Sequence, residues 1–103
     1  MLSLNKTRVI GKDMKKFCQF LGSNPFLTSL SMGQNKLGDA GINYLANALK
    51  VNKGLVFLDL FDCEFSDEGA IKLAESLLMN TTLISLRIAN TQVQPIPAQT
   101  LIK

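Results

Sequence analysis

Leu27, Leu55 and Leu83 open successive copies of one 28-residue pattern, and that period constrains the fold more than any other feature of the chain. LTSLSMGQNKLGDAGINYLANALKVNKG runs without a gap into LVFLDLFDCEFSDEGAIKLAESLLMNTT. Leu30, Leu58 and Leu86 keep the register, as do Met32, Leu60 and Ile88, then Leu37, Phe65 and Val93, then Leu45, Leu73 and Leu101. A fixed period of this size signals a solenoid, whose units bury their apolar faces only against one another. Shifted back one period, the pattern continues through Leu2, Leu4, Val9, Phe17, Leu21 and Asn24. The sequence therefore predicts a single repeat domain over 1–103, with a degenerate first copy at 1–26, full copies at 27–54 and 55–82, and a truncated copy at 83–103.

Each copy changes period once. Leu30 and Met32 flank Ser31, and Leu58 and Leu60 flank Asp59; this alternation predicts a short strand with one buried face. Ile42, Leu45, Ala46 and Leu49, then Ala70, Leu73, Ala74 and Leu77, follow helical spacing. Asp39 and the Ser66-Asp67 pair precede the helices, where short oxygen-bearing side chains accept unpaired backbone N–H groups. Gly41 and Gly69 predict close packing against the strand layer. Asn24, Asn52 and Asn80 fall just past the helices, a place where asparagine tolerates the left-handed conformation. Asn35, answered by Cys63 and Thr91, is expected to hold turn backbone with its amide. In TQVQPIPAQTLIK, Pro95 and Pro97 stand where a fourth helix would begin, which predicts that this helix is cut short or missing.

The pattern LxxLxLxxNxLxDxGxxxLxxxLxxN, carried by Leu27 through Asn52 and closely by Leu55 through Asn80, resembles the leucine-rich repeats of the ribonuclease-inhibitor type. Its NKGL and NTTL junctions are most similar to repeats of NOD-like receptors and tropomodulins. The resemblance implies an α/β solenoid, a right-handed βα superhelix with parallel strands on the concave side and helices on the convex side. It also implies an intracellular, cytoplasmic protein that binds other proteins through strand residues and the loops that follow. Actin binding and a sensing or autoinhibitory role are both compatible with it. Family members usually have more repeats and shielding caps, so the ends predict either a piece of a longer array or self-association through an exposed edge.

Strand parity assigns the binding face. With Leu30, Leu58 and Leu86 inward, Ser29, Phe57 and Ser85 face outward, followed by Ser31, Asp59 and Arg87, then Gly33, Phe61 and Ala89, with Gln34, Asp62 and Asn90 beyond. Among these small and polar residues Phe57 and Phe61 stand out with Asp59 between them, and aromatic side chains gain most when a partner desolvates them. The expected partner-binding set is Ser31, Gln34, Phe57, Asp59, Phe61, Asp62, Arg87 and Asn90, with Asp59 and Arg87 forming a surface ion pair. The competing reading is an architectural segment of a longer solenoid, whose functional contacts lie in other repeats.

Charge divides along the axis. The first copy holds Lys6, Arg8, Lys12, Lys15 and Lys16 against Asp13, whereas the third holds Asp59, Asp62, Glu64, Asp67, Glu68 and Glu75 against Lys72. This polarity favours charge-steered or head-to-tail association. A nucleic-acid contact through Lys12, Lys15 and Lys16 is the weaker alternative, because Phe17 and Phe20 follow core spacing rather than presenting stacking platforms. Catalysis is not expected: the chain has no histidine and no glycine-rich phosphate loop, and no cofactor or metal is called for. Cys18 and Cys63 make no disulfide framework and fit a reducing compartment. No stretch approaches the roughly 20 apolar residues of a membrane span, and the start lacks the apolar core of a signal peptide.

Overall fold

The computed structural model describes residues 2–88. Four short strands, β1 (Leu2–Ser3), β2 (Ser29–Ser31), β3 (Phe57–Asp59) and β4 (Ser85–Arg87), form one parallel sheet in chain order. Three helices, α1 (Met14–Ser23), α2 (Gly38–Val51) and α3 (Asp67–Met79), connect them, and a 3-10 turn at Gly11–Asp13 leads into the first. The sheet register equals the sequence period: Leu2 pairs with Leu30, Leu30 with Leu58 and Leu58 with Leu86. Beyond the strands the pairing continues, as Leu4 N–H donates to Ser31 O, Met32 N–H to Asp59 O and Leu60 N–H to Arg87 O.

Equivalent side chains thus stack in columns between the sheet and the helices. Leu30, Leu58, Met32 and Leu60 from the sheet side meet Leu21, Ile42, Leu45, Leu49, Leu73 and Leu77 from the helices, and all are buried. Removing this apolar surface from water contributes about 25 cal/mol per Å² and is the main force closing each unit onto the next. Cys18 fills a small buried position on α1, and Cys63 is buried after β3. Burial pushes the two thiols up to about 12 and about 11.

The asparagines act differently from the sequence expectation. Asn24, Asn52 and Asn80 end their helices in extended backbone, with φ of −87°, −68° and −79°, so no left-handed closure occurs. Asn24 Oδ1 accepts Phe26 N–H at 2.9 Å and Leu27 N–H at 2.8 Å, and the side-chain amides of Asn52 and Asn80 work in two directions. Asn52 Oδ1 accepts Gly54 N–H at 3.0 Å and Leu55 N–H at 2.8 Å, turning the chain toward β3, while its Nδ2 donates to Leu21 O at 2.7 Å in the preceding repeat. Asn80 repeats the set with Thr82 N–H, Leu83 N–H and Leu49 O. A left-handed residue recurs instead at the other end of the strands, at Lys6, Gln34 and Asp62, with φ of 57°, 60° and 55°.

Asn35 forms the matching ladder there, as expected. Its Oδ1 accepts Thr7 N–H and Val9 N–H, and its Nδ2 donates to Leu4 O at 2.9 Å and Met32 O at 2.9 Å. Cys63 occupies the same rung and donates to Met32 O at 3.2 Å.

The helix starts are also coupled between repeats. Asp39 lies inside α2, whose N-cap is Leu37, and does not cap its own helix. Its carboxylate reaches forward to α3, accepting Ser66 N–H at 2.9 Å, Ser66 Oγ–H at 2.7 Å and Gly69 N–H at 3.2 Å. Gly69 and Gly41 permit close approach both to the preceding repeat and to the core residue before their own helix: a Cβ would meet Asp39 Oδ1 and Phe65 at Gly69, and Gly11 Cα, Met14 and Leu37 at Gly41. The expected truncation of the last helix at Pro95 and Pro97 lies outside the described residues.

Partial burial raises the Asp39 carboxyl, but the bonds from Ser66 and Gly69 outweigh it and leave its pKa lowered. A lowered folded-state value makes this contribution complete above the unfolded value of about 3.9 and lost as pH falls through the folded one. Asp39→Ala is expected to cost about 1 kcal/mol at neutral pH, as loss of a helix cap does. Urea unfolding of both chains should show that gap shrinking as the pH drops below about 4, and a gap independent of pH would contradict the assignment.

Candidate concave-face binding site

The outward surface of the sheet is built from side chains one period apart. Ser29, Phe57 and Ser85 align in one row and Ser31, Asp59 and Arg87 in the next. Phe57 and Phe61 are half-buried, and Arg87 is exposed. The Phe61 ring lies over the backbone of Gly33, where a Cβ would collide with it. On the ring sits the Arg87 guanidinium, 4.8 Å from its centroid. Asp59 joins the two, since its Oδ1 accepts Phe61 N–H at 3.0 Å and its Oδ2 lies 3.4 Å from Arg87 Nη1.

Two residues of the expected contact set are buried. Ser31 is only 3% exposed and Asp59 only 6%. Alternation along the strand sets the direction of a side chain but does not account for what covers it. Asn5 Oδ1 covers Ser31, accepting its Oγ–H at 2.6 Å and Gly33 N–H at 2.7 Å. Asp59 is enclosed by the Phe61 backbone and Arg87, and so it orients the arginine. The ion pair is correspondingly one-sided, with the Arg87 side chain 58% exposed against 8% for Asp59.

The structure brings Phe61 and Arg87 together on the sheet, with Phe57 in the separate row of Ser29 and Ser85. Gln34 and Asp62 are exposed in the left-handed turns beyond it, on the loop edge, and Asn90 lies outside the described residues. Asn5 is absent from the face that strand parity assigns, and Gly33 is on that face without its role as the seat of the Phe61 ring. Asn5 and Gly33 carry signals only in comparison with their equivalents: the three positions read Asn5, Gly33 and Phe61, so a residue without a side chain precedes an aromatic one period later. Among the described residues, no group of three or more His, Cys, Asp or Glu side chains is arranged to hold a metal ion. No helix among them is long and apolar enough to cross a membrane.

Comparison with known proteins places this geometry. The leucine-rich repeat family model matches residues 23–46 and 51–74. The chain is 40% identical over 74 residues to ribonuclease inhibitor from Sus scrofa, covering 71% of this chain and 16% of that protein. It is 37% identical over 79 residues to NACHT, LRR and PYD domains-containing protein 5 from Homo sapiens, covering 76% of this chain and 7% of that protein. Among solved structures, one titled Leiomodin-1 Actin-Binding Site 2 superposes with a TM-score of 0.83 at 23% identity, covering 88% of this chain and 53% of that one. This chain thus spans a small part of the length of its curated relatives.

The geometry predicts unequal effects from removing the two partners of the ion pair. Asp59→Ala strands a partly buried Phe61 N–H and should cost about 1–2 kcal/mol. Arg87→Ala, which removes an exposed guanidinium, should cost about 1 kcal/mol or less. Urea unfolding of both variants checks this, and a larger loss from Arg87→Ala would contradict the assigned roles.

Proposed function

The chain is a leucine-rich-repeat protein of the ribonuclease-inhibitor type, and from that premise we propose that it binds a partner protein through the concave face of the sheet. The observation that carries this reading is the platform of Phe57, Phe61 and Arg87. Interface centres are enriched in aromatic residues and arginine, because rigid rings and a planar guanidinium bury much area at little entropic cost. Here Asp59 and Gly33 hold the guanidinium and the Phe61 ring in place before a partner arrives, which lowers the ordering cost of binding. Small Ser29 and Ser85 on either side of Phe57 leave the ring accessible to an approaching surface. Binding, not catalysis, also fits a chain without histidine, and a cytoplasmic setting suits the two buried thiols.

A second reading is favoured by α3. Ile71 is 52% exposed, Leu78 82% and Met79 58%, a density of apolar side chains suited to cover by a further repeat. In that reading the chain is an architectural segment within a longer array, and contacts to the partner lie elsewhere.

The two separate experimentally. The wild-type chain, a Phe57→Ala/Phe61→Ala/Arg87→Ala variant and a Lys15→Ala/Lys16→Ala control on α1 are each immobilised, after circular dichroism confirms folding, and exposed to cell lysate. The proposal expects a protein held by wild type and control and reduced about tenfold or more by the concave-face variant. Equal retention by all three chains would favour the architectural reading.

A further inference from the structure

We propose that the loop edge of the first two repeats is a separate docking site for an acidic peptide segment of a partner protein. A cavity of about 540 Å³ opens there, lined by Lys6, Arg8 and Lys36 together with Val9, Ile10 and Gln34. Its floor is Asn35, which is buried and holds the first-repeat loop from below. Thr7 N–H and Val9 N–H both donate to Asn35 Oδ1, at 3.1 and 3.2 Å, so the chain arches over the amide and places Arg8 at φ 63°. Lys6 is fixed from the other side by its own N–H, which donates to Gly33 O at 3.0 Å. Cations on a loop anchored in this way lose little backbone freedom when they bind.

The fold does not require these charges. Lys6, Gln34 and Asp62 occupy the same turn in successive repeats with φ of 57°, 60° and 55°, so basic, neutral and acidic residues serve the geometry equally. One period apart, Arg8, Lys36 and Glu64 likewise change from basic to acidic along the array. Lys6, Arg8 and Lys36 are exposed, and among the described residues none of them is in an ion pair. Cationic side chains converging on one cavity without a counter-charge are complementary to carboxylates.

The apolar part of the lining narrows the class. Ile10 is 40% exposed and Val9 half-buried beside the cations, which suits a segment presenting an acidic and an apolar side chain together. A nucleic acid fits less well, since no aromatic residue lines the cavity to stack a base.

The test titrates a fluorescein-labelled peptide of alternating glutamate and leucine against the whole chain by fluorescence anisotropy. Lys36→Glu and Arg8→Glu, made separately so that one folding failure leaves the other informative, should each weaken binding about tenfold or more. Lys15→Glu/Lys16→Glu, with a larger charge change on α1, and Phe57→Ala/Phe61→Ala, on the concave face, should leave binding within about twofold. Retention of the peptide by the concave-face variant separates this site from the one proposed above, so either can fail alone. Equal weakening by the α1 variant, or displacement of the peptide by an oligothymidine at matched charge, would show a general polyanion surface and overturn the proposal. Concentration-dependent dimers in sedimentation velocity that Lys36→Glu abolishes would assign the groove to the acidic loop edge of a second copy, and overturn it too.

Discussion

A carboxamide that donates in one direction and accepts in another holds the stacked units together. Each repeat turns its chain twice, once before the strand and once after it, and both turns are squeezed between neighbours where water cannot reach every backbone group. Unpaired buried N–H and C=O groups cost about 1–3 kcal/mol each. Asn52 and Asn80 answer this at one end, each accepting the N–H groups of its own turn while donating to a carbonyl of the preceding repeat. Asn35 answers it at the other end, and Cys63 continues that ladder with a weaker donor. Asp39 extends the same logic to the helix starts. The leucine columns supply the larger free energy, but these bonds fix the offset of one repeat against the next.

That fixed offset is what makes the sheet a platform. Because strand register equals sequence period, side chains one period apart come side by side, so Phe61 lies over Gly33, and Arg87 beside Asp59 reaches diagonally onto the Phe61 ring. The same columns run along the loop edge, where Lys6, Gln34 and Asp62 change sign from one end toward the other. The scaffold keeps the backbone constant and leaves these outward positions free to differ, which is how repeats of one kind come to suit different partners.

Much of this is legible in the sequence, because the apolar columns depend on residue type and spacing alone. Leu30, Leu58, Leu45 and Leu73 are buried where the period puts them. Asn52 and Asn80 are visible as turn residues, yet their role was not, since a left-handed closure and an inter-repeat ladder both favour asparagine and only the backbone angles distinguish them. Asp39 reads as a cap for the nearest helix, because the N-cap it serves, Ser66, lies 27 residues later. Ser31 and Asp59 point outward as parity requires, but Asn5, Arg87 and the Phe61 backbone close over them, and such cover arises between repeats that no local window contains.

Native-state hydrogen exchange at Leu55 and Leu83 tests the central claim most directly. Both backbone N–H groups donate to an asparagine side chain, at 2.8 and 2.7 Å, and not to another backbone group. If the asparagine ladder couples the repeats, these amides exchange as slowly as the buried helix amides of Leu45 and Leu73, through opening of the whole array. Exchange as fast as that of the exposed Lys53 and Thr81 amides would show the turns opening independently of the core, and would contradict the account.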